Sequence, residues 1–74
     1  MNSETIKAIR ISKNMSQAEF AASLGVAEST IATVEARHRN VSDRLRIRVA
    51  QIYGGDPEVE QAIRNAKKFE QLPK

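Results

Sequence analysis

Residues 17–36 read QAEFAASLGVAESTIATVEA, and the order of small, apolar and polar side chains in this stretch decides the fold. Phe20, Ala21 and Leu24 recur at the spacing of one helix face, Ile31 and Val34 at that of a second. Between them Gly25 can take the left-handed conformation that ends a helix and turns the chain sharply. Two short helices that meet at a steep angle need a small residue where their backbones approach, and Ala21 stands there. Phe20, Leu24, Val26, Ile31 and Val34 then fill the core the two helices share. Ser16 and Glu19 form a Ser-x-x-Glu capping box for the first of them. The second is expected over about Glu28–Ala36, with Glu28, Ser29, Ala32 and Thr33 on its outer face.

Helical spacing continues on both sides of this pair. Upstream, a helix is expected from about Glu4 to Asn14, with Ser3 as N-cap and Ile6, Ile9 and Lys13 along one side. Downstream of the Arg37–Asn40 loop, Ser42 can cap a fourth helix in which Val41, Leu45, Val49 and Ile52 recur, stopped by Gly54 and Gly55. Asp56 as N-cap and Pro57 at the first helical position open a fifth helix, with Val59, Ala62, Ile63, Ala66 and Phe69 on one face. No run of alternating β-branched residues supports a strand. The expected class is therefore all-α, with five helices in one domain over residues 1–74. Four of them form a core in residues 1–55, and residues 56–74 form a C-terminal helix for packing or for a dimer contact.

With 74 residues the chain has material for one core. Hydrophobic residues make up 41% and no long apolar run occurs, which excludes a membrane span. There is no cysteine, hence no disulfide and no thiolate metal site. The net charge is +3, and the excess is local. Residues 1–55 hold eight Lys/Arg against five Asp/Glu, and residues 56–74 four of each. Arg37, Arg39, Arg44, Arg46 and Arg48 crowd one stretch with only Asp43 as counter-charge, a pattern that suits either a solvated helix face or a polyanionic partner.

The paired helices carry a resemblance. QAEFAASLGVAESTIATVEA, preceded by Ser16 before Gln17, resembles the helix-turn-helix of the lambda and 434 repressor/Cro family, also called the XRE family, and the likeness extends over about Ile6–Gly54. It implies a lambda-repressor-like fold in which the second and third helices form the motif and the third enters the major groove of double-stranded DNA. The base-facing positions it implies are Ala27, Glu28, Ser29 and Thr33. Gln17, Thr30, Arg37, Arg39, Asn40 and Arg44 fall where the sugar-phosphate chain is held. Arg10 and Glu35 occupy the places of a structural ion pair. The sequence departs from the family where a glycine commonly follows the closing glutamate: Ala36-Arg37-His38-Arg39 stands there, and Asn40 is the residue expected to turn left-handed. Glu28 departs too, since a carboxylate at the groove is repelled by phosphate, and favouring the helix dipole is the alternative to accepting from a cytosine.

The implied activity is that of a transcriptional regulator acting as a homodimer on a palindromic operator, with no cofactor, no metal, no membrane and no catalysis. The expected location is the cytoplasm of a prokaryotic cell or phage-infected host, small stand-alone members of the family often coming from phages or mobile elements. The rival reading is a protein-interaction module of the same fold, an antirepressor or partner subunit, that does not read DNA. A nonspecific nucleic-acid binder is a third. His38 is the sole histidine, which leaves no triad or metal set to assemble. Tyr53 is expected to pack against the last helix rather than stack on a base. Phe69 with Leu72, or the off-stripe Ile11 and Ile47, are candidates for a subunit contact.

Overall fold

Short polar side chains start most of the helices. Asn2 Oδ1 accepts from the Thr5 N–H at 3.0 Å and opens α1, Ser3–Ser12. Ser16 caps α2, Gln17–Leu24, and its capping box is complete: the Glu19 N–H donates to Ser16 Oγ at 3.1 Å and the Ser16 N–H to Glu19 Oε1 at 2.9 Å. α3 spans Glu28–Glu35. Ser42 Oγ accepts from the Leu45 N–H at 3.1 Å at the head of α4, Asp43–Tyr53. Asp56 Oδ1 accepts from the Glu58 N–H at 2.9 Å before α5, Pro57–Gln71. Such caps satisfy N–H groups that a helix leaves without partners and are each worth about 1 kcal/mol. Only α3 lacks one among these, because its N-cap is Ala27. The computed structural model describes residues 1–71, with side chains through residue 66. Phe69, as a side chain, and Leu72 lie outside the described residues.

The ends of the first three helices share one geometry. Asn14, Gly25 and Arg37 all have φ between 58° and 69°. Behind each, two backbone N–H groups fold back on the last turn: Asn14 to Ile11 and Met15 to Arg10, Gly25 to Ala22 and Val26 to Ala21, Arg37 to Val34 and His38 to Thr33. These are Schellman closures. They correct two expectations. α1 begins at Ser3 behind Asn2, not at Glu4 behind Ser3, and stops at Ser12 rather than Asn14. α3 ends at Glu35 with Ala36 as C-cap, and the left-handed residue is Arg37, not Asn40. The two N–H bonds to Val34 and Thr33 require the left-handed turn immediately after Ala36, where the chain supplies an arginine.

An L-residue with a β-carbon pays a steric cost of about 1 kcal/mol or more in this conformation, and glycine does not. Arg37→Gly is therefore expected to stabilise the fold by ~1 kcal/mol, even though it deletes the ion pair of Arg37 with Glu4. That pair joins side chains 69% and 49% exposed, and solvent-screened pairs contribute little. Arg37→Ala loses the pair and keeps the strained backbone, so it should gain nothing. Thermal and urea unfolding of the two variants beside the parent check this.

The core gathers Ile6 and Ile9 from α1, Phe20, Ala21 and Leu24 from α2, Ile31 and Val34 from α3, Leu45, Val49 and Tyr53 from α4, and Val59 from α5. Met15, Val26, Val41 and Ile63 pack against it, partly buried. α1 lies against α5 and α3, and α2 against α3 and α4. At the junction of α1 and α5, Lys13 Nζ donates to Asp56 Oδ2 at 2.8 Å. The Lys13 ammonium and the Glu58 and Val59 N–H groups hold the Asp56 carboxyl below its ordinary value. In α4 the buried stripe is Leu45, Val49, Tyr53, an i, i+4 row, and Ile52 is 44% exposed, against expectation. Tyr53 is buried in the core that includes Val59 of α5, as packing within the protein requires. Its ring stacks on Phe20 of α2 with centroids 5.7 Å apart, and its hydroxyl lies 2.6 Å from Ser23 Oγ, so it fastens α4 to α2. Among the described residues there are five helices and no strand, and no helix is long and apolar enough to cross a membrane.

Candidate nucleic-acid interface

α3 is anchored from beneath and open above. Ile31 and Val34 are buried, while Glu28, Ser29 and Thr33 are exposed and Thr30 and Ala32 half-buried. Ala27 is exposed at the helix start. Its methyl makes no hydrogen bond, so no side chain caps the positive end of the helix dipole there. The hydroxyl of Thr33 turns back on its own helix, donating to the Ser29 carbonyl at 2.8 Å and the Thr30 carbonyl at 3.1 Å.

Two adjoining clefts lie beside this helix. One, of about 420 Å³, has Ala27, Thr30, Arg39, Asn40, Ser42 and Arg44 in its wall. The other, of about 260 Å³, is lined by Ser29, Thr30, Thr33, His38 and Arg39. Arg39 and Thr30 belong to both. The geometry thus brings Arg39, Asn40 and Arg44 from the third loop and α4 beside Ala27 and Thr30 of α3, and Arg39 beside Ser29 and Thr33 as well. His38 and Ser42 join that set; the sequence reads His38 as a loop residue near phosphate and Ser42 as a cap only, and the course of the loop after Arg37 places both beside α3.

Other expected backbone-contacting residues are engaged within the protein. Arg37 pairs with Glu4 of α1. Gln17 Nε2 donates to Glu35 Oε1 at 3.3 Å. Of the remaining arginines in the cluster, Arg46 donates to Asp43 Oδ1 at 3.2 Å, and the Arg48 guanidinium lies over Gly25, so close that a β-carbon there would stand 3.8 Å from Nη2. A cation at that place complements the negative end of α2. Glu28 is exposed and lines neither cleft.

Behind the face, Arg10 and Glu35 hold α1, α2 and α3 in register. Arg10 Nε donates to Glu35 Oε2 at 2.8 Å and Nη2 to Oε1 at 3.0 Å, a two-pronged pair, while Nη1 donates to the Met15 carbonyl at 2.9 Å. The Glu35 side chain is 5% exposed and that of Arg10 16%. Hydrogen bonding to the Glu35 carboxylate raises the Arg10 guanidinium above its ordinary value, so the guanidinium stays charged. Among the described residues, no group of three or more His, Cys, Asp or Glu side chains is placed to hold a metal ion.

A small, exposed helix start flanked by arginines can accommodate a polyanion and present side chains between its charged strands. Comparison with known proteins agrees. The family model described as helix-turn-helix, HTH_3, matches residues 6–59, most of the chain. No curated protein and no solved structure matches it.

Proposed function

The chain belongs to the Cro/C1-type helix-turn-helix family, the XRE family, a DNA-binding regulatory family with a lambda-repressor-like fold, and from that premise we propose that it is a sequence-specific regulator. In this reading α3 lies in the major groove of a double-stranded operator. Ala27, Glu28, Ser29 and Thr33 face base edges. Arg39, Asn40 and Arg44, with Thr30 beside them, hold phosphates of one strand. The observation that carries the reading is the exposed start of α3 with Arg39 lining both of the adjoining clefts beside it. Gln17 and Arg37 remain phosphate ligands in this proposal, and both must leave an internal partner to reach DNA.

A single module buries a small interface on DNA, so the regulator works as a homodimer on half-sites ~34 Å apart. Ile11, Ile47 and Ile52, between 44% and 58% exposed, supply apolar surface for the subunit contact. No cofactor and no catalytic step enter. A protein-interaction module of the same fold is the second reading, favoured by the internal engagement of Arg37 and Gln17 and by the carboxylate of Glu28 on the open face.

Affinity for duplexes selected from a random pool, beside randomised ones, measured across salt concentrations, separates these readings. The regulator shows tight, salt-steep and sequence-selective binding, with two chains per duplex. Equal affinity for every duplex marks a nonspecific binder, and no binding near ~100 mM salt marks the interaction module.

A further inference from the structure

Between Ala27 and Ala36 the chain has no Arg, Lys, Asn or Gln. Those are the side chains that make paired hydrogen bonds to guanine or adenine in the major groove. What the outer face of α3 offers instead is methyl groups, the hydroxyls of Ser and Thr, and one carboxylate. At Thr33 the choice narrows further. Its single hydroxyl proton is shared between the Ser29 and Thr30 carbonyls, at 2.8 and 3.1 Å, and cannot also be given to a base acceptor without breaking a bond the helix already holds. What this exposed side chain still has to offer a base is its γ-methyl and the acceptor lone pairs of Oγ1. Ala27, at the other end of the same face, adds a second methyl at a position where Ser, Thr, Asp or Asn would stabilise the helix by capping it.

We infer that Thr33 is a specificity-determining residue that recognises the C5-methyl group of a thymine, its hydroxyl serving the helix and its methyl the base. The inference rests on the DNA-reading function proposed above and names how one position of that site discriminates. Apolar contact with the thymine methyl removes two small hydrocarbon surfaces from water. One methyl-sized burial corresponds to about a fourfold change in affinity. Uracil presents the same hydrogen-bonding edge without the methyl, so it isolates this contribution.

The test uses the full chain and a duplex selected from a random pool, with each thymine replaced in turn by deoxyuridine. For each protein the readout is the ratio of Kd for the uracil duplex to Kd for the parent duplex. The unsubstituted protein should show a ratio of about four at one step per half-site. Thr33→Val, which keeps a γ-methyl and lacks the hydroxyl, should retain that ratio. Thr33→Ser, which keeps the hydroxyl and lacks the methyl, should bring it to one. Thermal unfolding verifies that both variants fold. Selective binding with a ratio of one at every thymine overturns the inference and leaves the DNA-reading function standing. So does a ratio lost in Thr33→Val and kept in Thr33→Ser, because the hydroxyl would then be the reader. Absence of any sequence-selective binding overturns the function and this inference together.

Discussion

Glu35→Ala is expected to cost the fold about 3 to 5 kcal/mol, the range for stranding a buried charge. The Arg10 guanidinium, with its side chain 16% exposed, would keep one bond to the Met15 carbonyl and lose both to the carboxylate. Gln17 would lose its partner as well. Small domains are stable by only ~5 to 15 kcal/mol, and in this size range each kcal/mol shifts Tm by ~4 to 8 °C. The melting temperature should thus fall on the order of 20 °C. Removing both charges is a different perturbation. An Arg10→Met, Glu35→Leu double variant replaces the pair with apolar side chains of similar reach and should recover most of the loss, since an intact buried pair gives little net stability over a hydrophobic substitute. Circular dichroism followed through heating and through urea gives both numbers. A Glu35→Ala protein within about 1 kcal/mol of the parent would show that water reaches Arg10 freely and that the pair does not hold the three helices in register.

What the sequence disclosed was what local chemistry decides. The capping box of Ser16 and Glu19, the cap of Ser42, the start of α5 at Asp56-Pro57 and the left-handed turn at Gly25 each depend on residues within one turn of one another. They were legible for that reason. The helix-turn-helix itself is a local unit, and its apolar positions become the core. The choice between Ile52 and Tyr53 was not local. Both fall near the buried side of α4, whose apolar stripe starts at Leu45, and Phe20, on another helix, selects Tyr53 by offering a ring to stack on. The end of α3 was similarly hidden. Side-chain preference pointed to Asn40, whereas the hydrogen bonds from Arg37 and His38 to the last turn fixed the left-handed residue three positions earlier. The arginine cluster was visible as a cluster only. Five long cations at similar spacing look alike in sequence, and their division follows from Glu4, Asp43, Gly25 and the loop, which the fold brings within reach.

That division makes a prediction about salt. Arg39 and Arg44 share the cleft beside Ala27 and Thr30, and among the described residues neither has a carboxylate partner within ion-pair distance. If they hold phosphates, each releases a counterion on binding, and log K falls with log[salt] at ~0.9 per contact. Arg39→Ala, Arg44→Ala together remove two contacts from each half-site, so a dimer on its operator should show a slope shallower by about 3 to 4. Two charged hydrogen bonds at ~1.5 kcal/mol each make the loss about a hundredfold per half-site near ~100 mM salt. The loss should be the same for every duplex, because phosphates carry no base identity, and preference among bases should survive it. Arg64 on α5 hydrogen-bonds to Gln61 and lines neither cleft beside α3, so Arg64→Ala should leave the slope as it was. A double variant whose slope is unchanged, or whose loss is confined to particular sequences, would move these arginines from the sugar-phosphate chain to the base edges or away from DNA altogether. The positive cleft beside α3 would then need another occupant.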